Sequence, residues 1–415
     1  MQIKQLIKEN YRLIICYMKK SVYLKLGLMM FMQFLQYAVW WMPLAAYLRS
    51  LPNLDPWQRT LILCSSAIGS MAAPFVGVIA DRYVNAEKLL SGLNLLVGIF
   101  LILAINLLGD FAGLMITVTL VMLCYMPTWG LISTIAMTHV SSEQFPRIRM
   151  LGTVGWASAA FFSLAALYIF NVEKFDGTVL PLYCGAGAAI VTAIVNLFLP
   201  KTPPTGIKTA KYSIVDIFGF RVISALKNKN FNWFIIISFL AVIPFTMYQV
   251  YGSRFLADQG VEKITMTMSL GQISELVFLL ITTSILVKYG FKKALIMGML
   301  AMLVRYVLFY ASVEMGQQWL YILGILPHGL IFGLLFVAGQ VYTNILVPSE
   351  YKAQAQGFLA FVVWGAGYLV GTLLNGWLVE YYNNWSLVFI TLSAMIVGII
   401  SLIVAVFKNP SEKQL

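Results

Sequence analysis

Twelve apolar runs, each about as long as a bilayer is thick, take up most of this 415-residue chain. Read between charged or Pro- and Gly-bearing breaks, they fall at approximately 22–48, 60–80, 88–108, 111–138, 147–170, 178–199, 231–256, 265–287, 293–313, 317–346, 352–379 and 385–407. About 20 residues, at ~1.5 Å of rise each, cross the hydrocarbon. Runs of 28 to 30 residues must tilt or project beyond it. Lipid offers no water to the peptide groups, so such runs fold as helices. The fold expected is an all-α integral membrane protein with twelve transmembrane helices. A composition of 60% hydrophobic and 11% charged residues could not cover a soluble surface.

Lys and Arg set the orientation. With both termini in the cytoplasm, the inside segments hold 21 of the 28 basic residues and the outside loops hold 5. This distribution also accounts for the +12 charge, so no nucleic-acid partner is expected. The first apolar run is too long for a signal-peptide core and is followed by further spans, so it reads as a retained helix. Residues 1–21 are polar and basic: either a cytoplasmic arm or, with Met18 followed by Lys19 and Lys20, partly a matter of start-site choice. Cys16, Cys64, Cys124 and Cys184 are scattered without metal-ligand spacing, so neither a disulfide nor a metal site is expected.

The longest hydrophilic stretch, 200–230, divides the spans six and six. Two six-helix bundles, 22–199 and 231–407, joined by a cytoplasmic linker and followed by a tail at 408–415, resemble the major facilitator architecture. There, substrate sits near the midplane between halves that rock. Within the linker, Ser213–Leu226 could form an amphipathic surface helix. The loop after the second run reads GVIADRYVNAEK; Gly77, Asp81, Arg82 and Lys88 fit the facilitator pattern there, whereas Val84 and Asn85 depart from it. Asp81 and Arg82 are either gating contacts or a solvated turn.

Ionisable groups inside hydrocarbon are costly and mark cavities or pairs. Of 16 acidic residues, only Glu275 lies well inside a run, with Gln272 on the same helical face. A partly desolvated carboxyl can load and release a proton; the alternative is a structural pair with Arg305. Arg149, Thr153 and Trp156 share one stripe at i, i+4, i+7, although Arg149 could equally be a boundary anchor, and Gly152 and Gly155 could mark a close helix crossing. Arg305 itself reads as a packing or snorkelling side chain. His328 either titrates or is hydrogen-bonded and neutral, and Phe332 lies one turn on. Gln33, Gln36 and Trp40 form a stripe in the first run. Thr246 and Gln249 are paired in the seventh, and Trp364, Tyr368 and Asn375 lie in the eleventh. Amides, one acid and aromatic rings recurring on several helices suit a ligand with a flat base and a sugar.

At YMPTWGLIST (Tyr125–Thr134), FPRIRMLGTVGW (Phe145–Trp156) and SLGQISE (Ser269–Glu275), the sequence resembles the bacterial nucleoside:proton symporter family. FLQYAVW, GVIADRY, LVRYVLF and AQGFLAF support this along nearly the whole length. The resemblance implies that Arg149, Thr153 and Trp156 contribute to the nucleoside site, with Trp156 standing where the type member has Phe. It places Gln272 and Glu275 there too, and Thr246 and Gln249 by position rather than identity. It aligns His328 and Phe332 with a family Tyr and Phe. The acidic residue that follows that Phe in the family, tied to proton coupling, is Gly333 here, which leaves Glu275 as the evident proton carrier with His328 assisting.

The expected function is secondary active import of nucleosides by proton symport through alternating access, in a bacterial inner membrane and as a monomer. The proton is the coupling ion and no other cofactor is expected. The rivals are a facilitator for another small solute (sugar uptake or drug efflux) and a non-transporting receptor of the same fold. No nucleophile–base set, metal cluster or phosphate loop is legible, so an enzyme is not expected.

Overall fold

The computed structural model describes residues 2–141, 144–172, 174–204, 218, 220, 228–348 and 351–409, with side chains from Lys20 onward apart from position 353. The described residues are helices and short connections, without strands. The long helices are α1 (Gln2–Ser50, apolar from Lys20), α2 (Pro56–Arg82), α3 (Ala86–Asn106), α4 (Phe111–His139), α5 (Phe145–Tyr168), α6 (Leu180–Asn196), α7 (Lys229–Asp258), α8 (Ile264–Met315), α9 (Gln318–Leu346), α10 (Gln354–Tyr382) and α11 (Trp385–Val406). The sequence-predicted arm is helical and continuous with α1. Ser213–Leu226 lies outside the described residues apart from Phe218 and Phe220.

The 52 residues of α8 would reach ~78 Å as one straight rod, far more than a hydrocarbon core of about 30 Å. At Gly290 the backbone leaves the helical region (φ 75, ψ 171), where only glycine is comfortable, and the rod breaks into two arms.

Helix ends are written in polar residues at the water boundary. Asp55 accepts from Gln58 N at 2.8 Å, while Gln58 Oε1 accepts from Asp55 N at 3.0 Å, so a reciprocal capping box starts α2. Asp110, Asn228 and Asn384 cap α4, α7 and α11 with side-chain oxygens. Gly316 (φ 62) and Asn383 (φ 45) end α8 and α10 in the left-handed region.

The burial pattern is that of a membrane protein, with greasy side chains outside and polar ones within. Leu280 (72% exposed), Val287 (84%) and Phe161 (67%) face outward in mid-chain runs, and Tyr168, Trp319, Trp377 and Tyr381 lie exposed near helix ends as an aromatic belt would. Apolar contact alone drives little association in lipid, so close approach and polar bonds between helices carry the packing. α1 and α5 cross so tightly at Gly155 that a Cβ there would sit 2.1 Å from Phe31 O, and one on Gly152 would sit 2.6 Å from Phe34. α9 crosses α8 at Gly329, where a Cβ would meet Ser274 O at 2.5 Å.

α1 to α6 pack mainly on one another, as do α7 to α11; α1 meets α7, α2 meets α10 and α5 meets α8. Two end faces can be told apart. On one, Thr202 binds Glu87 and His139, and Asn230 binds Lys408. On the other, Arg254 pairs with Glu380, Trp385 binds Asp258, and Asp176 binds Thr265. These are called the Thr202 face and the Asp176 face below.

Candidate functional site

Between the two groups of helices lies a cavity of about 260 Å³, close to the lower end of ligand clefts at roughly 300 Å³. It has room for one small organic molecule. Its polar lining is Ser66 and Ser70 (α2), Arg149 and Thr153 (α5), Gln249 (α7), Gln272 and Glu275 (α8) and His328 (α9). Its rings are Phe34, Tyr37, Trp41, Trp129, Trp156, Phe332, Trp364 and Tyr368.

The α1–α5 crossing positions the first cluster. The small residues Gly152 and Gly155 turn one face of α5 into α1, which leaves Arg149, Thr153 and Trp156 facing the void. Both readings of that segment hold: it is a tight crossing and a polar stripe. The Arg149 guanidinium lies 4.4 Å above the Phe34 ring, a cation–π contact that keeps a charge in place without neutralising it. Trp156 donates its indole N–H to Met42 Sδ at 2.9 Å and stands edge-on to Tyr37 at 5.4 Å.

Glu275 is 5% exposed. Its Oε1 accepts from Thr153 Oγ1 at 3.3 Å, a bond between α8 and α5 and so between the two groups of helices. Its Oε2 lies 3.9 Å from His328 Nε2. Gln272 Nε2 approaches the same ring nitrogen at 3.2 Å. With the amide as donor, Nε2 accepts and the ring proton sits on Nδ1, which is buried without a hydrogen-bond partner. Phe245 stacks on His328 at 6.2 Å and Tyr248 lies 5.5 Å away. Glu275, Gln272, Thr153 and His328 thus form a continuous polar patch on an otherwise aromatic wall.

Regular α geometry gives way where α9 and α10 line the cavity. Phe332–Val337 and Phe361–Gly367 are π-helical, a form found mostly at functional sites, and they carry the lining residues Phe332 and Trp364. Gly333 follows Phe332. A Cβ there would come within 2.4 Å of Thr282 Oγ1, so a side chain at this position would have to displace the Thr282 hydroxyl.

Of the ten sequence-predicted binding residues, Arg149, Thr153, Trp156, Gln249, Gln272, Glu275, His328 and Phe332 line the cavity. The other two lie elsewhere. Thr246 is fully buried; its Oγ1 donates to Ile243 O at 2.8 Å and accepts from Asn375 Nδ2 at 2.8 Å, which ties α7 to α10. Gln36 donates to Asn94 Oδ1 at 2.6 Å, beside Gln33, which donates to Thr128 at 2.8 Å. These amides bond one another inside the packing of α1, α3 and α4, and of their polar atoms Gln36 Oε1 is left buried without a partner.

The cavity face of α1 is instead Phe34, Tyr37 and Trp41, again at i, i+3, i+7 and one residue out of phase with Gln33, Gln36 and Trp40. Trp40 packs into Gly185. Arg305 does not snorkel: it is fully buried, donates from Nε to Gly324 O at 3.1 Å, and lies 4.1 Å over Tyr248 rather than pairing with Glu275. At the Thr202-face end of α2, Asp81 is exposed and Arg82 is buried.

Comparison with known proteins gives concordant results. The chain matches the family described as "Nucleoside H+ symporter" across residues 18–412. It is 30% identical over 407 residues to a putative nucleoside transporter, YegT, of Escherichia coli K12, covering 94% of this chain and 95% of that one. The nucleoside permease NupG of the same organism is 25% identical, covering 93% and 96%. A crystal structure of nucleoside transporter NupG superposes with a TM-score of 0.79 at 24% identity, over 94% of this chain and all of that one.

Proposed function

Since the chain belongs to the nucleoside H+ symporter family and is a membrane transporter of that kind rather than an enzyme, we propose the following mechanism for proton-coupled nucleoside import. Two bundles, 22–199 and 231–407, joined through 200–230, rock about a nucleoside held in the central cavity. Counting the two arms of α8 separately and including α6 brings the spans to twelve, in the major facilitator arrangement. The excess of basic residues puts the Thr202 face inside and the Asp176 face outside, in a bacterial inner membrane. One chain supplies the whole cavity, so a monomer suffices.

The observation that carries the reading is the Thr153–Glu275 bond across the two bundles, next to Gln272 and His328. Glu275 is the proton carrier. A neutral carboxylic acid on a rocking bundle moves through low dielectric at far smaller cost than a carboxylate. Proton arrival from outside therefore permits the move, and proton loss inside resets it. Nucleoside completes the arrangement: its base lies among Trp156, Trp364 and Phe332, while its hydroxyl and ring-edge groups meet Arg149, Gln249, Gln272 and His328. His328 holds Gln272 in place through Nε2. Gly333 carries no acid, so coupling rests on Glu275.

A proton moving inward gains ~2.3 kcal/mol per 100 mV, enough to concentrate a neutral nucleoside roughly fiftyfold. The purified protein in proteoliposomes should accumulate radiolabelled uridine or adenosine when an inward proton gradient is imposed. Uptake that ignores the gradient would overturn symport, and no uptake of either nucleoside would overturn the substrate assignment.

A further inference from the structure

The helix that carries Glu275 begins without a cap of its own. Its N-cap residue is Lys263, which makes no side-chain capping bond, and its first turn contains no acidic residue. The first amide groups of any helix need acceptors. Here a carboxylate from the other bundle provides them. Asp176, in the connection between α5 and α6, accepts from Thr265 N at 2.9 Å through Oδ2 and from Thr265 Oγ1 through Oδ1. Asp176 is 7% exposed and Thr265 is fully buried, so water does not compete freely for either.

The connection is built to hold this geometry. Phe175 is buried in the core, Gly177 turns the chain at φ 77, and Thr178 Oγ1 donates back to Phe175 O at 2.7 Å. Ser50 at the end of α1 donates to Gly177 O at 3.4 Å.

Thr265 and Glu275 are ten residues apart on one rod, about 15 Å. The two groups of helices are thus joined at two heights, by Thr153–Glu275 at the cavity and by Asp176–Thr265 at the outer end. Two weaker polar contacts close the same face: Ala46 N to Ser253 Oγ at 3.3 Å and Tyr251 OH to Thr60 Oγ1 at 3.2 Å.

We propose that Asp176 is the outer latch of the transporter, a positioning residue that caps α8 across the bundle interface when the outside is closed and lets go when the cavity opens outward. It acts on Glu275 through the rigid first arm of α8 and does not touch the substrate.

This rests on the alternating-access reading but not on the identity of the solute. The test uses the full chain, with its native cysteines replaced, in right-side-out vesicles. Ser66→Cys in the cavity wall reports outward opening through its labelling rate with a membrane-impermeant thiol reagent. Asp176→Ala removes both acceptors, strands the Thr265 amide and should raise labelling from outside about fivefold. Asp176→Asn, an equally good cap, should stay within about twofold of the parent. Should Asp176→Ala fail to fold, Asp176→Cys with Thr265→Cys replaces it: oxidation should abolish outside labelling of Ser66→Cys and, in the chain that keeps Ser66, transport, and reduction should restore both. Equal labelling in the parent and Asp176→Ala, or free labelling of the oxidised pair, overturns the latch. Absent nucleoside uptake by the unsubstituted chain, which keeps Ser66, would overturn the substrate assignment and leave the labelling result standing.

Discussion

Replacing Glu275 by Gln separates proton carriage from the rest of the site. The amide is nearly isosteric with the acid and its Oε1 can still accept from Thr153 Oγ1, now 3.3 Å from Glu275 Oε1. His328 and Gln272 keep their mutual bond. The charge-assisted part of the Thr153 contact is lost, and at this length it is worth about 1 kcal/mol, a change of about fivefold in apparent affinity. The larger effect is on coupling. A side chain that cannot bind a proton cannot draw on the ~2.3 kcal/mol per 100 mV available to an inward proton. The roughly fiftyfold accumulation accessible to the parent therefore falls to none, while exchange of internal for external nucleoside continues. The assay is uptake of labelled uridine or adenosine under an imposed potential, run beside counterflow with no gradient. If Glu275→Gln still concentrates nucleoside as the parent does, Glu275 does not carry the coupling proton, and the mechanism proposed here fails.

Three further outcomes follow from the same geometry. Gly333→Asp should lower thermal stability in detergent by about 1–3 kcal/mol through overpacking against Thr282, and Thr282→Ala should recover part of it; an unchanged melting temperature contradicts the tight α8–α9 contact. Trp156→Ala should weaken nucleoside affinity about tenfold, by loss of a stacking face worth ~1–2 kcal/mol, with little effect on proton dependence, read as KM against coupling ratio. Burial pushes the Asp176 carboxyl above the ordinary aspartate range, and the hydrogen bonds from Thr265 offset this only in part. Arg49, Lys174, Glu262 and Lys263 are the charged described residues on the adjoining segments. A value raised in the latched state and ordinary in the open state means that protonation favours the latch. Outside labelling of Ser66→Cys, taken relative to the Asp176→Asn background at each pH, should therefore slow as external pH falls through the raised value, and a ratio that rises in acid would refute the assignment.

The span pattern was legible because lipid imposes a simple rule on composition, and the helices lie close to where apolar runs begin and end. The polar stripe of α5 and the Gln272–Glu275 pair were legible for a second reason: a charge in hydrocarbon has few places to go. Helical spacing tells which residues share a face, but not where that face points around the helix axis. That is why Gln36 and Thr246 belong to internal amide and hydroxyl clusters, while Phe34, Tyr37 and Trp41, at the same spacing, line the cavity. The break at Gly290, the π-helical turns behind Phe332 and Trp364, and the close approach of Thr282 to Gly333 all depend on which helices meet. Asp176 left no periodic signal, because it lies in a connection and its partner is 89 residues away.

The central claim is that nucleoside and proton enter together. It is tested most directly by adding uridine or adenosine to proteoliposomes that contain a pH-sensitive dye and carry no imposed gradient. The account predicts that the lumen acidifies as the nucleoside enters, and that Glu275→Gln removes the signal. Nucleoside entry with no change in internal pH would contradict it.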